Sequence, residues 1–419
     1  MIIKPLSSIA KNISSGLTPL RSNPLFWVNP TVPWLKTEQL GNKYIFDTKE
    51  YISEEAVKKN NMKIFPKNTL SIAMYGEGKT RGNLSILKTE MATNQACCNI
   101  EIDPEYADFE YVYYFLKTQY QNIRNLSSGI RKNLNSNDIK NYLIYLPDSK
   151  QEQVKISSVL MLIDQKIELN NRINAELEAM AKTLYDYWFV QFDFPNEDGK
   201  PYKSSGGKMV YNSILKREIP LGWKTESILN NCNIIDCLHS KKPDLVWESE
   251  NYYLLQLENI LDNGLIDISE KYYVSQKDYF IWTSRIELKQ HDIVMTNAGR
   301  TAAFAQIPNH INCGIGRNIT AIRPINISPN YFFLSLSSID IQRQILISLD
   351  NGAFFKSFNV RGIKALELLR PINKIEHKFE DTIKGIIDKR NLLVKENSEL
   401  KKLRDWLLPM LMNGQVTVR

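Results

Sequence analysis

Cysteine is scarce, odd in number and scattered: five residues, Cys97, Cys98, Cys232, Cys237 and Cys313, in a chain of 419. This excludes a disulfide framework and fits reduced thiols in the cytoplasm. Histidine is scarcer still, with four residues. Neither His310-Ile311-Asn312-Cys313 nor Cys232…Cys237 has the paired spacing of a zinc site, so no residue is assigned to a metal. No apolar run reaches membrane-spanning length, and MIIKPLSSIAKN has no apolar core of the signal-peptide kind. Catalytic signatures are missing too. Adenine methylation needs an Asn/Asp-Pro-Pro-aromatic loop, and the nearest string, Asn29-Pro30-Thr31, lacks the second proline and the aromatic. A metal nuclease needs clustered carboxylates with a nearby lysine. Asp193 and Asp198-Gly199-Lys200 qualify only superficially, because they stand in a Pro/Gly-rich stretch that reads as a solvated linker.

One phosphate-loop lookalike calls for a test. Ala73-Met74-Tyr75-Gly76-Glu77-Gly78-Lys79-Thr80 approximates G-x-x-x-x-G-K-[ST], with alanine in the first position. Such a loop requires a helix directly after it, whose N-terminus receives the phosphate. Here Arg81-Gly82-Asn83 leads into Leu84-Ser85-Ile86-Leu87, which predicts a strand. The expectation is a basic hairpin tip, and no catalytic residue is assigned.

Two segments carry strong order. Hydrophobic content of 43% and charged content of 24% are ordinary for a folded chain, and the net charge of +7 is compatible with a polyanionic partner. From Pro147 to Trp188, apolar residues recur at Ile156, Leu160, Ile163, Ile167, Leu177, Ala181, Leu184 and Trp188, with Asn170 and Asn174 filling the two positions between. The steps alternate four and three, which is heptad spacing. The spacing predicts a helix of about 40 residues, about 60 Å long. With one apolar seam exposed it needs a partner. That partner follows Pro371: Phe379, Ile383, Ile386, Arg390, Leu393, Asn397, Leu400, Arg404, Leu407 and Leu411 lie on the first seam shifted by 223.

The rest of the chain repeats as well. Leu254 to Ile260 stands where Trp34 to Leu40 stood, Tyr273-Val274-Ser275 answers Tyr51-Ile52-Ser53, and Lys289 to Gly299 answers Lys67 to Gly76. Between the copies, 193–220 is rich in proline and glycine and reads as a connector that breaks regular structure. The chain is therefore two copies of one unit, a globular module followed by a long helix. Basic and amide residues recur at corresponding loop positions. The first copy offers Lys79, Arg81, Asn83, Arg131, Lys132 and Asn133; the second offers Arg300, Thr301, Arg317, Asn318, Lys356 and Asn359. Arginine and lysine suit guanine edges and phosphates, and asparagine suits adenine, so these are the candidate DNA contacts.

This alternation of module and helix, without a catalytic motif, resembles the specificity (S) subunit of type I restriction-modification enzymes. The most specific stretch is Leu184-Tyr185-Asp186-Tyr187-Trp188-Phe189-Val190 with Phe192-Asp193-Phe194-Pro195, then Gly199-Lys200-Pro201-Tyr202-Lys203 and Ile219-Pro220-Leu221-Gly222-Trp223. It is similar to the family's central conserved region and the start of its second target-recognition domain. The resemblance implies an α+β chain with two tandem α/β target-recognition domains, at 1–146 and 223–370. Between them it implies an antiparallel two-helix coiled coil, from 147–192 and 371–412, with a connector at 193–222 and pseudo-two-fold symmetry. Each domain would read half of a split site in double-stranded DNA, and the helices would set the spacer and dock two modification subunits. S-adenosylmethionine would belong to the modification subunit, and ATP and Mg to a restriction subunit where one is present; this chain would carry no cofactor. Two rival expectations are a nucleotide hydrolase using Lys79 and a coiled-coil scaffold that binds only protein.

Overall fold

Strands that run up to Pro147 and Pro371 decide where the long helices begin. In the computed structural model the helices span Lys150–Tyr185 and Asn373–Met412, 36 and 40 residues. The strands Leu143–Leu146 and Glu367–Arg370 occupy the residues just before each proline. The residue before a proline favours extended backbone, so each helix starts two or three positions after its proline rather than on it. Ser149 caps the first helix, its Oγ accepting from Glu152 N at 3.2 Å. That helix also ends early as an α-helix: Asp186–Val190 is a π turn, closed by Gln191 N donating to Asp186 O at 2.8 Å.

The structure describes residues 1–418 except 77–79, 127–132, 248–251, 298–301, 349, 352–355 and 359, and leaves aside the side chains of 350, 351, 356 and 357. No helix among the described residues is long and apolar enough to cross a membrane. Helix and strand are mixed throughout, and internal packing separates Met1–Lys166 with Lys401–Arg419 from Ile167–Leu400.

The first unit is built on a five-stranded sheet ordered Ala10–Ser15, Cys97–Ile102, Leu70–Ala73, Leu84–Leu87, Tyr44–Ile45. Leu70–Ala73 and Leu84–Leu87 are buried along their whole length, each with a serine, Ser71 or Ser85, among its apolar residues. They pair antiparallel, with Leu70 opposite Ile86. A strand, not a helix, therefore follows the Gly76 loop, whereas a phosphate-binding loop needs a helix N-terminus there. A smaller sheet orders Glu50–Ile52, Val32–Leu35 and Ala92–Thr93, the first pair antiparallel and the second parallel. The helix Phe109–Thr118 buries its aromatic face, and the seam residues Ile156, Leu160 and Leu411 join the same core.

The second unit repeats the order of the first four of those strands with different residues. Cys232–Asp236, Ile319–Pro324, Ile293–Thr296 and Phe304–Gln306 form one sheet; Tyr272–Tyr273, Tyr253–Leu255 and Gly314–Ile315 form the other, again antiparallel then parallel. Particular hydrogen bonds recur as well. Tyr111 Oη donates to Tyr145 O at 3.0 Å, and Tyr331 Oη donates to Leu369 O at 2.5 Å. Gln153 Oε1 accepts from Asp108 N at 2.9 Å, and Glu376 Oε1 accepts from Ser328 N at 2.7 Å.

Two expectations need correction. The stretch 193–220 is not a solvated linker. Met209–Asn212 pairs with Arg217–Pro220 as a hairpin, and Phe194 stacks between Tyr202 and Trp223 with ring centroids 4.7 and 5.0 Å away. Aromatic burial of this kind outweighs the local turn preference of proline and glycine. Asp193 closes a turn there, accepting from Ser204 N and Oγ at 2.7 and 2.6 Å. The second correction concerns the seam. Ile156, Leu160, Ile163, Ile167, Asn174, Phe379, Ile383, Leu393 and Asn397 are buried as expected, while Leu177, Leu184, Leu400 and Leu407 are half-buried. At Ile386 the phase slips by one: Ile387 is the buried residue and Ile386 is half-buried. A straight helix at 3.6 residues per turn drifts against a strict heptad, and here the drift moves the seam.

Candidate nucleic-acid interface

Three loops meet where the inner strands of the first unit's main sheet end, forming a loop edge across the strand ends, and a single residue, Met74, pins them. Met74 follows the buried strand Leu70–Ala73 and opens the loop that carries Lys79 and Arg81. Its backbone N donates to Ala96 O at 2.8 Å, drawing in the turn Asn94–Ala96, and its O accepts from Leu134 N at 3.1 Å, drawing in Asn133. The buried Leu134 side chain anchors that third loop in the core.

Asn297 does the same in the second unit. Its N donates to Asn318 O at 2.8 Å and its O accepts from Phe358 N at 3.2 Å. Phe358 is buried as Leu134 is. The carboxamide adds a polar layer that methionine cannot supply: Thr320 Oγ1 donates to Asn297 Oδ1 at 3.0 Å, beside Asp236. Each sheet edge thus presents three loops, fixed by backbone bonds between chain segments far apart in sequence.

The candidate DNA residues fall unevenly on this frame. Arg317 and Asn318 are exposed at the turn between Gly314–Ile315 and Ile319–Pro324, and Asn318 adopts a left-handed φ of 62°. Arg81 is half-buried, and its O accepts from Arg124 Nη1 at 3.2 Å. Gly82 continues that turn at φ +87°, where an added Cβ would press on Arg124 and Tyr120. Asn83 turns inward, its Nδ2 donating to Leu40 O at 3.1 Å, so its amide ties the hairpin to the neighbouring segment. Asn133 is half-buried at the third loop. Lys79, Arg131, Lys132, Arg300, Thr301 and Asn359 lie outside the described residues, as does the Lys356 side chain.

The geometry also brings forward residues that sequence reasoning passed over. Gln95 is exposed at the turn next to Ala96, the place Arg317 holds beside Asn318 in the second unit. The repeat offset alone could have found it. Basic and aromatic groups also pair: the Arg21 guanidinium lies 4.0 Å from the Trp27 ring centroid and Lys242 Nζ lies 3.7 Å from that of Tyr272. Trp247 is 90% exposed.

Asp236, Cys237 and His239 bring their ligand atoms within 4.8 Å of one another. Burial raises the Cys237 thiol and keeps it protonated, and the Asp236 carboxylate already accepts from Cys237 N and contacts His239 Nε2, both at 2.9 Å. The cluster is assigned to local structure. All five cysteines are free and buried; burial pushes the thiols of Cys97, Cys98, Cys232 and Cys313 up to about 12. None is poised as a nucleophile.

Residues 3–179 match the family described as the type I restriction modification DNA specificity domain. Over its whole length the chain is similar to the type I restriction enzyme MjaIX specificity subunit of Methanocaldococcus jannaschii: 25% identity, covering 99% of this chain and 93% of that one. The HindI specificity subunit of Haemophilus influenzae is 21% identical, covering 69% of this chain and 72% of its own. Among solved structures, the S subunit of a type I restriction-modification system from M. genitalium shares the fold, with a TM-score of 0.57 at 16% identity, covering 98% of this chain and 95% of that one.

Proposed function

We propose that the whole chain, whose residues 3–179 match the type I restriction modification DNA specificity domain, is the sequence-recognition subunit of a type I restriction-modification complex. It is the non-catalytic member of that complex. The first target-recognition domain comprises 1–146 and the second 223–370. Each reads one half of a split site in double-stranded DNA. The long helices, within 147–192 and 371–412, pair as an antiparallel coiled coil and hold the domains apart, so their length sets the spacer.

The observation that carries this reading is the repeated three-loop edge around Met74 and Asn297. A rigid sheet edge that presents basic and amide side chains on short loops suits contact with base edges and phosphates. Arg81, Asn133, Arg317 and Asn318 are the described members, joined by Lys79, Arg131, Lys132, Arg300, Thr301, Lys356 and Asn359. Asn83 supports the first edge from within. The chain carries no cofactor of its own; S-adenosylmethionine acts in the two modification subunits that dock on the helices, and ATP with Mg in any restriction subunit.

The test is methylome sequencing of a host that carries this chain with its modification subunit. A bipartite adenine-methylated motif that vanishes when this chain alone is deleted is the expected result. Methylation that persists without the chain would overturn the assignment.

A further inference from the structure

The first unit contains a largely buried charged cluster that the recognition function does not require. Lys43, at the start of the short strand Tyr44–Ile45, places Nζ 3.0 Å from Glu110 Oε2 and 3.3 Å from Asp164 Oδ2, and donates to Tyr114 Oη at 2.6 Å. Tyr114 Oη in turn donates to Asp164 Oδ2 at 2.5 Å. Asp164 belongs to the first long helix, and its other oxygen, Oδ1, accepts from Arg404 Nη1 of the second long helix at 3.0 Å. The Lys43, Glu110 and Asp164 side chains are 13%, 6% and 19% exposed. One carboxylate therefore holds the globular part and both helices together.

Among the described residues, the second unit has no counterpart. Shifted by the helix offset of 223, Asp164 corresponds to Ile387 and Arg404 to Ala181; at the offset of 220 that matches Tyr111 to Tyr331, Tyr114 corresponds to Leu334. Around Ala181, Leu334 and the buried Arg390 lies a cavity of about 760 Å³. Arg390 pairs instead with Glu178 at 3.1 Å and donates to Asn263 O at 2.9 Å. Where the first unit places charge-assisted bonds around Asp164, the second has this cavity. Burying so many charges costs desolvation, which a plain apolar seam would avoid. What the cluster supplies in return is direction: ion pairs and hydrogen bonds have preferred geometry, whereas apolar packing tolerates sliding.

We propose that Asp164 is a positioning residue of DNA recognition: through Lys43, Tyr114 and Arg404 it sets the angle of the first module on the helix pair and thereby restricts the spacer lengths the assembled enzyme accepts. This rests on the reading that the chain recognises a bipartite site. Half-site sequence is a separate property, decided at the loop edge around Met74, so disturbing Asp164 relaxes spacing and leaves the bases unchanged.

The experiment uses the full chain assembled with its modification subunits and S-adenosylmethionine. Substrates are duplexes with the native half-sites and spacers one base pair shorter, equal or longer. The readout is methylation at altered spacers relative to the native one, for the wild type, Asp164→Ala and Tyr114→Phe. Asp164→Ala should raise that ratio by about tenfold or more, the change in preference that one lost charged hydrogen bond can produce. Tyr114→Phe removes a single hydroxyl and should raise it less. Should Asp164→Ala fail to fold, Tyr114→Phe decides the matter alone. Wild-type ratios in the folded variants, including a loss of activity that is uniform across spacers, overturn the proposal. If the wild-type complex methylates no split site at all, the functional reading fails first and this one with it.

Discussion

Asn170 Nδ2 donates to Asn397 Oδ1 at 2.9 Å, so the buried seam between the two long helices is closed at this point by a carboxamide pair rather than by aliphatic side chains. Asn170 Nδ2 also reaches Glu396 Oε2, and Asn397 Nδ2 donates to Asn171 Oδ1, each at 2.9 Å. A polar residue at a seam position allows one alignment of the helices and penalises others, at some cost in stability.

Replacing one member leaves the other buried with an unmet bond. Asn170→Leu should destabilise the chain by about 1 to 3 kcal/mol. The double variant with Asn397→Leu removes both polar groups and should recover to within about 1 kcal/mol of the wild type or exceed it. Denaturant midpoints of the four members of this cycle check it. A double variant that loses the sum of the two single effects would refute the pairing.

Glu380 gives a signed pH dependence. Its carboxylate accepts from Asn330 N and Tyr331 N, both at 3.1 Å, and from Asn330 Nδ2 at 2.9 Å, at the start of the helix Pro329–Leu336. Burial, as the largest effect, nevertheless raises its pKa, and Glu376 nearby adds to the rise. The folded state therefore holds this proton more tightly than the unfolded chain, whose value is about 4.3. The corresponding stability is present below that value and is lost as pH rises through the folded pKa. Relative to Glu380→Gln, the wild type should lose stability across that window. Chemical denaturation at successive pH values tests the sign, and a wild type that gains on the variant as pH rises contradicts it.

The five thiols should be silent in the native state. Burial both shields them and keeps them protonated. A disulfide exchange reagent at neutral pH should titrate none in the folded chain and all five after unfolding. Fast modification of Cys237 under native conditions would show that the site around Asp236 is open.

Arg317 sits exposed on the second loop edge and Gln95 on the first. In the complex proposed above, Arg317→Ala should weaken binding by about 1 to 3 kcal/mol and relax preference in one half-site only. Gln95→Ala should act on the other half-site. Methylation of duplexes with single base changes separates the two, and a variant that relaxes both halves would contradict the modular reading.

Local patterns made much of this architecture legible. Heptad spacing depends only on residues three and four apart, so the helices Lys150–Tyr185 and Asn373–Met412 could be located within a few positions. Short, mostly apolar stretches located the strands Leu70–Ala73 and Leu84–Leu87, and the strand after Gly82 argued against a phosphate loop. What tertiary structure alone decided lies between distant segments. Met74 bonding to Ala96 and Leu134 makes three loops into one edge, and no periodicity encodes that meeting. Asn83 has the composition of a base contact, yet its amide is spent on Leu40, because side-chain direction follows from the fold around it. Lys43, Asp164 and Arg404 are more than a hundred residues apart in sequence, each ordinary in its own helix or turn. Only the packing of strand against both helices sets one carboxylate among them, since the bonds that join them depend on distances that sequence spacing does not fix.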